Sequence, residues 1–352
     1  MSIAFCRHFG TCGGCTYQDM PDTDYRALKR TLVGEALARH GLADAFVEEP
    51  LEVAPATRRR AVFKVAKKNG ITRIGFHAAK SHAIVDMLEC RVVTPAMAAL
   101  VPRLREAMSS LLRENEDAEL HVTDTDEGFD VALNWARARK VQGEIAKFAE
   151  KLGLARVTAG GEILAEFAKP SIAFGNARVE LPPGSFLQPT REGEAALQAR
   201  VASILKGAKH VADLFAGCGT FALPLAGHAG IHAVDADGAA LEALGRAARA
   251  MQGLKPVTTE KRDLFKRPLF QVELARFDAV VLDPPRAGAM AQASQLATSR
   301  VARVAYVSCD AGSFARDART LVDAGYRMGP VLPVDQFLWS SHIELVASFT
   351  KA

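Results

Sequence analysis

A doubly wound α/β unit with a mostly parallel sheet, preceded by a smaller α+β unit, is the fold class that this sequence predicts. Three observations predict it. The apolar runs VADLF (211–215), IHAVDA (231–236), DAVVLD (278–283) and RVAYVSC (303–309) alternate with helical stretches, as strands of a parallel sheet covered by crossover helices do. The first half lacks that alternation. It shows short period-2 segments, RAVFKVAKK and ITRIGFHAA, joined at Asn69-Gly70, a strong hairpin signal. And 352 residues suffice for two or three domains at roughly 100–200 residues each.

The elements follow in chain order. Residues 1–20 read as a Cys/Gly-rich loop. TDYRALKRTLVGEALARHGL (23–42) sets Leu28, Leu32 and Leu37 at helical spacing and stops at Gly41, a C-cap. Residues 51–95 and about 119–180 read as antiparallel strands, interrupted by a helix near 95–114 and a second near 141–153. Composition changes at PPG (182–184), a helix follows over about 190–206, and the strand–helix alternation begins. The expected partition is 1–50 (cysteine loop and following helix), 51–181 (central α+β unit) and 182–352 (doubly wound unit).

Composition bounds the class. With 49% apolar and 24% charged residues the chain reads as a globular protein with a real core. A net charge of +4 permits a nucleic-acid partner without requiring one. The start, MSIAFCRHFG, lacks the apolar core of a signal peptide, and no run nears ~18 apolar residues, so a cytoplasmic location and no membrane span are expected. Three of six cysteines fall in the first fifteen residues, which favours a metal or cluster site over disulfides in a reducing compartment.

DLFAGCGTFAL (213–223) follows a strand and opens a helix. Gly217 and Gly219 let the backbone approach a ligand at the strand's carboxyl end. The third glycine of a dinucleotide fingerprint is missing, so no pyrophosphate cradle forms. Asp235, eighteen positions after Gly217, stands where a carboxylate takes ribose hydroxyls, and Asp263 where adenine N6 is met. S-adenosylmethionine fits this better than NAD; the plainer reading is turn glycines and an Asp237 helix cap. In VLDPPRAG (281–288) Asp283 closes a strand and two prolines stiffen the exit, while Arg286 replaces the aromatic residue that amine-methylating enzymes use to stack a base.

Cys309 then falls at the end of the next strand, beside Asp310. A lone cysteine is often a buried structural thiol. At the ligand edge of an open sheet, however, a thiolate has work to do. Uracil C5 is too poor a nucleophile to take a methyl group from a sulfonium. A thiolate adding at C6 gives C5 carbanion character, and a base must then remove the C5 proton. Glu344, in the alternating run SSHIELVASF with His342 two residues before it, offers that base; a solvent-facing strand residue is the equal alternative.

Together CRHFGTCGGC, RRRAVF, PPGSFLQPT, DLFAGCGTF, DPPRAG, YVSCD and HIELV resemble the bacterial RNA uracil-C5 methyltransferases, in particular the iron–sulfur-containing 23S rRNA enzymes, from Cys6 to about Phe349. The resemblance implies a Rossmann-like class I S-adenosylmethionine methyltransferase domain, with Cys309 as nucleophile and Glu344 as proton-abstracting base. It implies cofactor contacts at Gln188, Phe215, Thr220, Asp235, Asp263 and Asp283. It implies a [4Fe-4S] cluster on Cys6, Cys12, Cys15 and Cys90, with structural zinc as the bland alternative. Four thiolates speak against a radical enzyme, whose cluster leaves one iron open. The chain departs from the family pattern at Pro189-Thr190, Thr220, Asp235 and Asp310-Ala311. Because it begins five residues ahead of Cys6, the β-barrel RNA-binding domain of some members is expected to be absent.

RNA is the implied partner, 23S rRNA first and tRNA second; no protein partner is inferred. Arg58, Arg59, Arg60, Lys64, Lys67 and Lys68 form a basic stretch read as phosphate-contacting, against the ordinary reading of a solvated face. The rival from another class is an idle cluster-bearing RNA-binding protein.

Overall fold

The computed structural model describes residues 5–351. Parallel strands covered on both faces need near-continuous apolar runs, and the inner strands of the second half supply them. The strands are β1 (His210–Leu214), β2 (Gly230–Asp235), β3 (Val257–Lys261), β4 (Ala279–Leu282), β5 (Arg303–Ser308), β6 (Leu332–Asp335) and β7 (Glu344–Thr350). All four residues of β4 and five of the six in β5 are buried. The sheet runs β6-β7-β5-β4-β1-β2-β3, and β7 alone of these pairs antiparallel to its neighbours. The chain order therefore reverses between β1 and β4, which opens a crevice at their carboxyl ends. The antiparallel β7 begins at that same edge, where the parallel strands end. Leu345 pairs with Ser308, and Glu344 with Val334.

A second, seven-stranded sheet is built on the strand pair Arg60–Lys68 and Ile71–His77. Asn69 and Gly70 both have positive φ, +53° and +71°, as the tight turn between these strands requires. The helices Pro95–Leu111 and Gln142–Leu152 cover its apolar face, burying Phe63, Ile74, Met97, Leu104 and Ile145.

Two segments cross the partition drawn from sequence. Leu51–Glu52 pairs in parallel with β6 and so extends the sheet of the second half, and the hairpin 171–180 shares a core with helix α3 (Gly238–Ala250). Helix α1 (Asp22–Arg39) also packs on the second half. Its buried stripe is Tyr25, Lys29, Val33, Ala36 and Leu37; the expected Leu28 and Leu32 are only half-buried. The stripe includes a lysine because Lys29 Nζ meets Asp335 Oδ1 at 2.8 Å, both side chains being fully buried, and Tyr25 donates to the other oxygen at 2.5 Å.

Replacing Lys29 by Met would leave the Asp335 charge uncompensated in the core. The expected loss is about 3–5 kcal/mol, read as a lower urea midpoint at unchanged slope. A loss below about 1 kcal/mol would mean that the pair does not fasten α1.

Candidate active site

Backbone geometry shapes the crevice first. Phe215, just past β1, is held at φ +65°, a conformation non-glycine residues rarely adopt, and its ring lies 5.4 Å from that of Phe265. Gly219 follows at φ +99°, and a Cβ there would lie 3.0 Å from Leu244, so the loop sits hard against α3. Asp235 accepts from Gly217 N–H and Asp237 N–H, both at 2.8 Å, which ties the end of β2 to the glycine loop. Each of its oxygens keeps a lone pair for a further donor. Asp237 caps α3, as the plainer sequence reading had it. Thr220 contributes its carbonyl to Gln198 at 2.9 Å. Asp263 caps its own turn through Phe265 N–H at 3.0 Å, beside the Phe215–Phe265 pair.

Four carboxylates converge behind this loop. Glu344 is 3% exposed, and burial first, then Asp283, pushes it up to about 8. Asp283, at the exit of β4, is pushed up to about 7 by desolvation and by Asp235. Asp213, inside β1, is wholly buried and reaches about 8, raised by burial and then by Asp283. Neither Asp213 oxygen has a well-formed hydrogen bond. An unpaired buried acid among other acids is the counterpart of a cationic ligand. S-adenosylmethionine carries a sulfonium and an ammonium, so this donor set fits it. Sequence reading passed over Asp213; its signal was an acid in an otherwise apolar strand.

Cys309 follows β5 directly and is half-buried. Its thiol is pushed up to about 11 by burial, then by Glu344 and Asp283, while Arg286 opposes the shift. The carboxylates that reach it are thus Glu344 and Asp283. Its neighbour Asp310 instead caps α4 (Ala311–Asp323), accepting from Ser313 N–H at 2.7 Å. Gln188 is buried, and its Nε2 lies 3.5 Å from Asp283 Oδ2. The structure therefore brings Cys309, Glu344, Asp283 and Gln188 to one edge of the sheet.

His342 is not aimed with Glu344. Because β7 starts only at Glu344, His342, two residues earlier, lies outside the strand and the period-2 argument does not reach it. The His342 ring is exposed, lies 3.2 Å from Arg286 Nη2 and stands edge-on to Phe337. Arg59 also departs from expectation. It is 2% exposed and pairs with Glu194 at 2.6 Å, so it anchors the two halves and is no phosphate contact. Lys64 pairs with Glu119, and Lys67 donates to the Ser109 carbonyl.

Among the described residues, no three His, Cys, Asp or Glu side chains are close enough to hold a single metal ion. Cys6, Cys12, Cys15 and Cys90 nevertheless line one cavity of about 420 Å³, together with Arg58, Arg286, Phe337 and His342. The cysteine loop also reaches the loop between β6 and β7: Thr16 and Tyr17 donate their N–H groups to the Trp339 carbonyl at 2.6 and 3.1 Å.

The chain is similar to known proteins. The tRNA (Uracil-5-)-methyltransferase family model matches residues 247–351. An RNA methyltransferase of Rhizobium meliloti is 44% identical over 98% of this chain and 85% of its own. The 23S rRNA (uracil(1939)-C(5))-methyltransferase RlmD of Halomonas elongata is 33% identical over 96% of this chain and 74% of its own. The chain belongs to the bacterial RNA uracil-C5 methyltransferase family. The fold agrees: the Pyrococcus abyssi tRNA (uracil-54, C5)-methyltransferase in complex with S-adenosyl-L-homocysteine superposes with a TM-score of 0.72 at 21% identity, over 96% of this chain and 86% of that one. As a family member the chain is an S-adenosylmethionine-dependent RNA methyltransferase. No described helix is long and apolar enough to cross a membrane.

A positive ligand entering this pocket favours the ionised form of acids that are partly protonated near neutrality. Binding S-adenosylmethionine should therefore release protons below about pH 8, and its affinity should rise with pH up to that point and then level off. Titration calorimetry in buffers of different ionisation enthalpy measures the release. Binding without proton exchange would mean that the cation does not sit among these acids.

Proposed function

We propose that this chain makes 5-methyluridine in 23S rRNA, with Cys309 as nucleophile and Glu344 as base. The observation that carries the reading is the meeting of Cys309, at the end of parallel β5, with Glu344, at the start of antiparallel β7, across one crevice edge beside Asp283. A flipped uracil entering there meets a thiol and a carboxylate, the two groups that its C5 chemistry needs. As the thiolate, Cys309 adds to C6, and the electron pair of the opened C5=C6 double bond makes C5 nucleophilic toward the methyl group. Arg286 and a positive charge in the acidic pocket both favour the thiolate. Bound S-adenosylmethionine supplies the electrophilic methyl group, and Gln188, Phe215, Thr220, Asp235, Asp263 and Asp283 are the residues that would hold it. Glu344 then takes the C5 proton, and the C6–S bond breaks to release the product and the thiolate.

The 33% identity to a protein named for 23S rRNA supports that RNA over tRNA, since the tRNA enzyme shares the fold at only 21% identity. Arg58 and Arg60, whose guanidinium groups lie 5.7 and 4.8 Å from the rings of Phe337 and Phe186, give charge and stacking surface beside the crevice.

Cys309→Ala should lose methylation and form no RNA adduct. Glu344→Gln should accumulate a covalent RNA–protein adduct on a denaturing gel, because addition proceeds and elimination does not. An unaffected Cys309→Ala protein would identify a binding module. Mapping 5-methyluridine in RNA from cells with and without the chain decides between rRNA and tRNA.

We further propose that Cys6, Cys12, Cys15 and Cys90 hold a [4Fe-4S] cluster of structural role. Four soft donors around one cavity suit it, and a four-iron cube spaces its thiolates farther apart than a single ion does. Burial raises Cys6, Cys12 and Cys15 as free thiols, Cys15 to about 12; bound metal offsets that by taking them as thiolates. Anaerobically purified protein should be brown, with about four irons per chain. Colourless protein with about one zinc would identify the alternative.

A further inference from the structure

We infer that Gln336 is a positioning residue for the base: its side-chain amide clamps Glu344 against Gln188 and holds the Glu344 carboxylate ready to take the uracil proton. This rests on the reading of Glu344 as that base. Gln336 directly follows β6 and is 1% exposed. Its Nε2 donates to Glu344 Oε2 at 3.1 Å and to Gln188 Oε1 at 2.7 Å. Gln188 in turn places its own amide 3.5 Å from Asp283. Two amides thus link the base to the carboxylate on the DPPRAG loop.

The other end of the Gln336 amide shows what fixes it. Oε1 is buried with no partner, a cost that an apolar side chain filling the same space would not incur. Room for it comes from Gly193, in the first turn of α2 (Arg191–Ile204), where a Cβ would lie 2.5 Å from Oε1. The backbone is fixed next door, where Asp335 is held by Lys29 and Tyr25. The charged groups acting on Glu344 are Asp283, which disfavours its ionised form, and Arg286, which favours it; the Cys309 thiol stands across from it. On α2, Glu194 is already taken by Arg59. Gln336 is therefore the neutral donor that opposes Asp283, and its N–H stabilises the carboxylate over the acid.

The test is turnover on the substrate RNA against pH, with adduct scored on denaturing gels, for Gln336→Leu, Gly193→Ala and Glu344→Gln. Losing the donor should move the acid limb of turnover up by about one pH unit, a roughly tenfold loss at neutral pH. The KM values should hold, and adduct should accumulate on the acid side as it does in Glu344→Gln. Gly193→Ala, whose Cβ would crowd Gln336 Oε1 at 2.5 Å and the capping Thr190 Oγ1 at 2.9 Å, should displace the same amide and shift the limb the same way, whereas a lost cap alone would leave the limb where it is. It also decides the matter if Gln336→Leu does not fold. Adduct in Glu344→Gln with unshifted profiles in both other variants overturns this inference and leaves the base in place. A uniform loss at all pH without adduct makes Gln336 merely structural, and overturns it too. No adduct in Glu344→Gln overturns the base and this inference together.

Discussion

A lysine and an aspartate that never meet water hold the catalytic edge in shape. Lys29 and Asp335 are fully buried, 2.8 Å apart, and the remaining donors of Lys29 reach the carbonyls of Phe337 and His342. These acceptors bracket the loop between β6 and β7. One end of that loop carries Gln336 and the other opens into Glu344. Ion pairs of this kind add little net stability, because desolvation offsets the attraction, but removing one partner is costly. What the pair contributes here is a fixed path for a loop that contains no regular structure. Trp339, at its apex, is held at φ +58° and receives the cysteine loop on its carbonyl.

The same edge is electrostatically unfinished. Asp213, Asp283 and Glu344 crowd one pocket, each raised by burial and, foremost among their neighbours, by another acid. On the proposed reading, a group of acids built this way holds a positive donor for the methyl group more readily than the neutral product left after transfer. The same residues can thus favour substrate entry and product exit.

Much of the architecture was legible in the sequence because the relevant signals are local. Asn69-Gly70 dictates its turn, the four apolar runs are buried strands, and a cysteine next to the last run falls at the ligand edge. Less local facts were not legible. Whether Glu344 faces core or solvent depends on where an antiparallel strand begins, which is a matter of pairing with β5 and β6. The alternation through His342 therefore misled. Arg59 looked like its basic neighbours, yet it is buried because Glu194, 135 positions away, neutralises it. Gln336 carries no motif at all. Its meaning arises only when β6, β7 and α2 are brought together.

The Lys29–Asp335 contact spans 306 positions of sequence. During synthesis the helix that carries the lysine leaves the ribosome long before the strand pair that needs it. Contacts of such separation form late and slowly. A nascent chain that has not yet reached β7 cannot possess the finished edge, so α1 must wait, its lysine still hydrated, for the strands that will bury it.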